Sequence, residues 1–252
     1  MRKLDYKKLA VDIQNWIKNY VMSANAEGVV VGLSGGIDSA VTAALCLNAL
    51  GKENVIGLGL PCESVSQDLE DAKLIAKVLG IDFKIIDLTS VYKKFLDVME
   101  PIVKTNKMAS ANLKPRLRMI ALYFHGQSKG NYLIAGTSNR AELAIGYFTK
   151  YGDGAVDFEP LGMLYKKEVR EIARILKIPE KIILKPPSPG LWVGQTDEGE
   201  IGLSYDTIDE ILYRFDYNLG FNGLNKEDIE KVRKMRKIAQ HKLKMPPMYE
   251  IK

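Results

Sequence analysis

Cysteine and histidine are scarce: the chain of 252 residues holds two of each, Cys46 and Cys62, His125 and His241. Two cysteines so spaced build neither a disulfide framework nor a Cys-x-x-Cys metal site. Cys46 lies within the apolar run 40–50 and is expected in the core. There is no apolar stretch of about 18 residues and no basic-then-apolar leader, so the expectation is a soluble, cytoplasmic protein without membrane contact. Internal repeats, low-complexity tracts and linker-like breaks in composition are also missing. Residues 1–252 are therefore expected to form one domain, able to bury a full core unaided. The excess of positive charge is small, 36 Lys and Arg against 31 Asp and Glu. Much of it falls late, at Lys231, Arg233, Lys234, Arg236, Lys237, Lys242 and Lys244, where Ile229, Val232, Met235, Ala239 and Leu243 recur at helical spacing. The apolar residues are expected to pack inward and the basic ones to form a solvated face. With no aromatics interleaved for stacking, nucleic acid is not an expected partner.

What the chain does contain is alternation. Apolar runs of strand length at 29–33, 55–60, 83–88 and 132–135 alternate with helical patterns. These are a first amphipathic helix (Leu4, Leu9, Ile13, Trp16, Ile17, Tyr20), then 39–50, 67–79, 91–99 and 116–124. The order predicts an α/β fold: a parallel sheet with helices on both faces and right-handed crossovers. Ligands in such sheets bind at the carboxyl ends of the strands, so loops starting at Ser34, Pro61, Thr89 and Gly136 are expected to carry the site. Two later segments lose periodicity, 136–162 and the Pro- and Gly-rich 185–200, and Trp192 in the second reads as the buried anchor of a functional lid. Helices near 165–176, 205–218 and 226–240 complete the chain.

The first loop is the most specific feature. Gly32-Leu33-Ser34-Gly35-Gly36-Ile37-Asp38-Ser39 follows a strand and opens a helix. Adjacent glycines let successive N–H groups close around phosphate oxygens, and the helix start aims unpaired N–H groups and its positive dipole end at the same anion. Ser34 and Ser39 add hydroxyl donors. Asp38 would repel phosphate unless a divalent cation lay between them, which makes it a candidate Mg²⁺ ligand. No Gly-x-x-x-x-Gly-Lys-Ser/Thr loop occurs, so the kinase and GTPase arrangement is not expected.

Ser-Gly-Gly-Ile-Asp-Ser resembles the pyrophosphatase loop of ATP enzymes that cleave between the α and β phosphates, on a Rossmann-like sheet of the adenine nucleotide alpha hydrolase type. By itself it leaves open NAD, GMP, asparagine and argininosuccinate synthetases and tRNA-modifying enzymes, and a non-catalytic nucleotide-binding module. Gly136-Thr137-Ser138-Asn139-Arg140-Ala141-Glu142, followed by Gly146-Tyr147-Phe148-Thr149-Lys150-Tyr151-Gly152-Asp153-Gly154-Ala155-Val156-Asp157, resembles the signature of ammonia-dependent NAD synthetases. The likeness extends to Lys114-Pro115-Arg116-Leu117-Arg118-Met119, to Pro160-Leu161 with Lys166, and to His241-Lys242 with Pro246-Pro247. It implies that residues 32–39, Thr137, Lys166 and Ser188 hold ATP and that Asp38 and Glu142 bind Mg²⁺. It also implies that Arg116, Lys150, Asp157, His241 and Lys242 contact nicotinate adenine dinucleotide, and that the chain forms a homodimer. On residue type alone Arg116 and Lys166 also read as surface charges at helix starts, and His241 as a solvated tail residue.

The implied chemistry is a two-step amidation, adenylation of a nicotinate carboxylate and then attack by ammonia. Asp38 and Lys166 would act in the first step, and Asp153 is the candidate carboxylate for deprotonating ammonium, although Gly-Asp-Gly also reads as a plain turn. Three positions depart from the family pattern. Leu60-Pro61-Cys62-Glu63 stands where an arginine is frequent, Ser188 where threonine is common, and Leu243 where an arginine is common.

Overall fold

A computed structural model describes residues 2–188, Gly190, Trp192 and 194–251. In chain order the elements are α1 (Tyr6–Ser23), β1 (Gly28–Gly32), α2 (Ile37–Leu50), β2 (Val55–Gly59), α3 (Ser66–Leu79), β3 (Asp82–Ile85), α4 (Thr89–Met99), α5 (Lys107–Lys129) and β4 (Tyr132–Ala135). They continue with α6 (Arg140–Ile145), α7 (Lys166–Ile175), α8 (Glu180–Ile183), α9 (Asp197–Ile201), α10 (Tyr205–Asp216) and α11 (Lys226–Leu243).

The four strands form one parallel sheet in the order β3-β2-β1-β4. Strands alternate faces, so Val29 and Val31 enter one core with Ile17, Leu45 and Ile172, while Val30 enters the other with Leu58, Tyr92 and Leu117. The first core lies under α1, α2 and α7, the second under α4 and α5. Coverage on both faces explains why β1 and β2 read as unbroken apolar runs. A third apolar cluster joins α6, α10 and α11 around Ala141, Tyr205, Ile208, Leu212 and Val232. The chain runs outward from β1 through β2 to β3 and returns to the other side of β1 for β4. This reversal opens a crevice beyond the carboxyl ends of β1 and β4. Among the described residues no helix is long and apolar enough to cross a membrane.

Several boundaries differ from the sequence pattern for physical reasons. The helix expected at 116–124 begins at Lys107, capped by Asn106, whose side chain accepts from the Ala109 N–H at 2.9 Å, and it runs through Pro115. An internal proline costs a helix roughly 3 kcal/mol or more, and the apolar seam Ala111, Leu117, Ala121, Leu122 packed on the sheet offsets it. The strand expected at 83–88 is Asp82–Ile85, although Ile86 and Leu88 still donate to Gly59 and Pro61 carbonyls at 2.9 and 2.8 Å. Segment 136–162, which loses periodicity in the sequence, contains α6 with Ala141, Ala144 and Ile145 buried. Leu243 is not a core residue: it is 45% exposed at the end of α11. Trp192 is not a buried anchor either. It is half-buried, with Lys107 Nζ 4.0 Å above its ring. Pro189, Leu191 and Val193 of the same expected lid lie outside the described residues.

Candidate active site

A cavity of about 750 Å³ occupies the crevice and is walled by the first loop, by Gly136–Ser138 after β4, and by residues of α5, α7 and α11. The first loop is tightly made. Gly35 has φ +81°, and a Cβ there would fall 2.3 Å from the Asp68 carbonyl oxygen of α3, so only glycine fits. Gly36 caps α2 without any side-chain hydrogen bond, leaving the first helical N–H groups to face the cavity. Ser39 Oγ donates to the Gly36 carbonyl at 3.0 Å and lies 3.2 Å from Ser34 Oγ, so the two hydroxyls brace the turn they line.

Beside this loop Lys166, the first residue of α7, is 1% exposed. It is no surface charge. Its ammonium donates to Asp38 Oδ2, lies 3.6 Å from Glu142 Oε1 and sits 4.8 Å from the centre of the Tyr205 ring. Burial disfavours its charge, but Asp38 and Glu142 outweigh that and hold it protonated beyond the usual lysine range. The start of α7 is itself fixed: Glu168 accepts from the Tyr165 N–H at 3.0 Å and forms a bidentate pair with Arg2, and Asp209 accepts from the Lys167 N–H at 3.2 Å. Asn139 orients both carboxylates, donating to Asp38 Oδ1 at 3.2 Å and forming a reciprocal capping box with Glu142. Burial and the neighbouring Asp38 push Glu142 up to about 8.

Among the described residues no three His, Cys, Asp or Glu side chains converge to hold a metal ion. Two carboxylates fit Mg²⁺ in its common setting, where one or two protein ligands are completed by phosphate oxygens and water. The observation favouring that fit is geometric: Asp38 and Glu142 converge on one cation, the Lys166 ammonium, at the edge of the phosphate loop.

Across the cavity stand Arg116, Lys150, Asp153, His241 and Lys242. Their present partners are largely backbone. Lys150 donates to the His241 carbonyl at 2.7 Å, Lys242 to Gly146 and Phe148 carbonyls at 2.7 Å each, and Arg116 to the Lys150 carbonyl at 3.3 Å. Asp153 lines the cavity and keeps an exposed surface. Desolvation by the surrounding protein raises its pKa, and the Thr149 N–H, donating at 2.9 Å, opposes the rise. Thr137 and Ser188 also line the cavity. Asp157 does not. Its carboxylate accepts from Tyr123 Oη at 3.1 Å and from the Ile134 N–H at 2.6 Å, which makes it a brace between α5 and β4.

Sequence reasoning missed Glu159, Asp197, Tyr205, Arg118 and Lys185, all set by tertiary packing. Tyr205 Oη lies 3.1 Å from Glu142 and 2.7 Å from Asp197, joining α6, α9 and α10 beneath Lys166. Glu159 abuts Gly136, where a Cβ would fall 2.3 Å from its carboxylate, and accepts from the Ser138 N–H at 3.0 Å. Burial pushes it from 4.5 up to about 8. The folded chain then holds a proton that the unfolded chain has released. Its stabilising contribution is complete below 4.5 and is lost as pH rises through about 8. Glu159→Gln cannot titrate, so its melting temperature relative to the parent is expected to climb between about pH 5 and pH 9 and level off above. Calorimetry across that range checks it, and a constant difference overturns it.

A parallel sheet covered on both faces, with an uncapped glycine loop at its switch point, is the architecture of a nucleotide-binding α/β enzyme. The NAD synthase family model matches residues 9–246, and the chain belongs to that family. It is 44% identical to the NH(3)-dependent NAD(+) synthetase of Thermococcus sibiricus, over 98% of each chain. Among solved structures it resembles the NMN synthetase of Francisella tularensis, with a TM-score of 0.90, 35% identity and coverage of 99% of this chain and 100% of that one. It also resembles the NH3-dependent NAD synthetase of Campylobacter jejuni in complex with nitrate, with a TM-score of 0.84, 34% identity and coverage of 98% and 100%.

Proposed function

We propose that this chain makes NAD by amidating nicotinate adenine dinucleotide with ammonia, using ATP and releasing AMP and pyrophosphate. The observation that carries the reading is that one cavity joins an open phosphate loop and a Lys166–Asp38–Glu142 cluster to a second cationic wall of Arg116, Lys150 and Lys242. The first wall suits a triphosphate, the second a dinucleotide bearing a pyrophosphate and a carboxylate.

In the first step a nicotinate carboxylate oxygen attacks the α-phosphorus of ATP, and the bond to the bridging oxygen breaks to release pyrophosphate. The amides at the start of α2 and the Lys166 ammonium face the charge that gathers on the leaving group. Mg²⁺, held by Asp38 and Glu142 when bound, would supply further neutralisation of that charge. In the second step ammonia adds to the acyl carbon and AMP leaves with the electron pair. Asp153, open to the cavity and raised by desolvation from the protein around it, would hold ammonium and take its proton. His241 and Ser188 complete the substrate and ATP walls, while Asp157 acts through β4 and α5. Residues 1–252 act as one catalytic domain in the cytoplasm. A homodimer is part of the same reading, supported by exposed apolar side chains along α4 and α5, Val91, Phe95, Val98, Ile120 and Phe124.

The test is product analysis with ATP, Mg²⁺, ammonium and nicotinate adenine dinucleotide. AMP and pyrophosphate are expected in one-to-one yield with NAD, and stoichiometric ADP would overturn the reading. The resemblance to the Francisella protein favours one second reading, NMN synthesis. A higher kcat/KM for nicotinate mononucleotide than for the dinucleotide would replace the first reading with it.

A further inference from the structure

The peptide joining Gly35 to Gly36 is held from both sides. Its N–H donates to Ser34 Oγ at 3.3 Å, and its carbonyl accepts from Lys185 Nζ at 3.3 Å. In a trans peptide these two groups point in opposite directions, so fixing one fixes the other. Glycine does not settle the choice by itself, because it lacks the Cβ that restricts backbone rotation. If this plane turned over, the Gly36 N–H would leave the concavity lined by Ser34 and Ser39. A carbonyl oxygen would enter it and repel any bound anion.

Lys185 is seated for this task. Its three N–H donors meet three acceptors: the Gly35 carbonyl, Asp68 Oδ1 at 2.8 Å and Asp71 Oδ2 at 2.7 Å. Asp71 is 1% exposed and is further held by Lys181 at 2.7 Å and Gln67 at 3.0 Å. Asp68 also supplies the carbonyl oxygen that excludes a side chain at Gly35. The first turn of α3, the root of the Pro- and Gly-rich segment and the glycine turn thus form one packed unit, although Lys185 lies 150 residues from Gly35 in sequence.

We propose that Lys185 is a positioning residue of the phosphate loop, locking the Gly35–Gly36 peptide so that the Gly36 N–H faces the bound anion. The inference rests on reading residues 34–39 as the ATP phosphate site. Calorimetric binding of Mg²⁺-ATP and of pyrophosphate alone to the full chain tests it, alongside exchange of the Gly36 amide followed by NMR. Lys185→Met, which keeps the stem and removes the donors, is expected to weaken both ligands about tenfold or more, the loss typical of a hydrogen bond from a charged group. It should speed Gly36 exchange and raise KM for ATP while leaving KM for ammonium unchanged. Lys185→Gln, with a donor retained, should recover part of the affinity.

Wild-type affinity in folded Lys185→Met overturns the proposal, as does weakened binding with Gly36 exchange unaltered. Should Lys185→Met not fold, Asp71→Asn loosens the seat and is expected to shift affinity the same way by less; no shift there overturns the proposal. Ser34→Ala separates the two levels. If it binds pyrophosphate normally, the phosphate-loop reading itself is wrong, whereas weakened Ser34→Ala beside normal Lys185→Met removes only the role of Lys185.

Discussion

Asp38→Ala is expected to reduce pyrophosphate release from ATP by about a thousandfold or more while the protein stays folded. Removing one preorganised group that faces developing charge commonly costs about 10²–10³ in rate, and here the same change also removes a proposed Mg²⁺ ligand. The side chain is the partner of a buried ammonium as well. Lys166 would keep its second carboxylate, Glu142, whose Oε1 already lies 3.6 Å from the ammonium. That remaining partner is why unfolding is not the expected outcome, although breaking a buried pair usually costs about 3–5 kcal/mol. The core of α2 from Ala40 to Cys46 is untouched. Circular dichroism with a pyrophosphate-release assay checks the prediction, and near-normal release by the folded variant would remove Asp38 from the chemistry.

How much of this was legible in the sequence depended on how local the cause was. The glycine loop, the four strands and the switch point follow from neighbours in the chain: Gly35 needs its conformation for the turn, and β1 and β2 need apolar residues at every position because both faces are covered. α6 was also legible in principle, since Asn139 and Glu142 stand at capping-box spacing before Ala144 and Ile145. It was lost because a surrounding run of polar and glycine residues hid its short apolar face. Pro115 misled for the opposite reason, a strong local breaker overruled by packing of α5 on the sheet.

The state of the site was not legible, because distant residues determine it. Lys166 reads as a helix-start lysine until Asp38, 128 residues earlier in the chain, is brought against it. Its role is what family likeness implies; its burial and clamping by Glu142 and Tyr205 needed coordinates. Asp157 shows how packing redirects a side chain within segment 136–162: this carboxylate turns to the Ile134 N–H and Tyr123 instead of the cavity. Glu159 and Tyr205 carry no local signal: each matters through what a sheet end or a helix crossing places beside it.

With glutamine as the sole nitrogen source, the purified chain is expected to form NAD only at background, against full turnover with ammonium chloride. Releasing ammonia from glutamine requires a nucleophile, in practice an accessible thiolate with a base beside it. Neither cysteine qualifies. Cys46 is fully buried in the middle of α2, where burial pushes its thiol up to about 12. Cys62 follows β2 with no exposed surface, and its Sγ lies 4.0 Å from the Leu88 carbonyl, an acceptor that favours the protonated thiol. Burial raises its pKa, which Arg118 and Lys114 only partly counter. Among the described residues neither sulfur is paired with a histidine: His125 is half-buried on α5, and His241 lies exposed near the end of α11 with its carbonyl holding Lys150. Cys62→Ala should therefore keep its ammonium-dependent rate, losing only the small stability that a buried sulfur contributes. Equal rates with ammonium-free glutamine and with ammonium chloride, the former abolished by Cys62→Ala, would make Cys62 a nucleophile and overturn the assignment of free ammonia as the substrate.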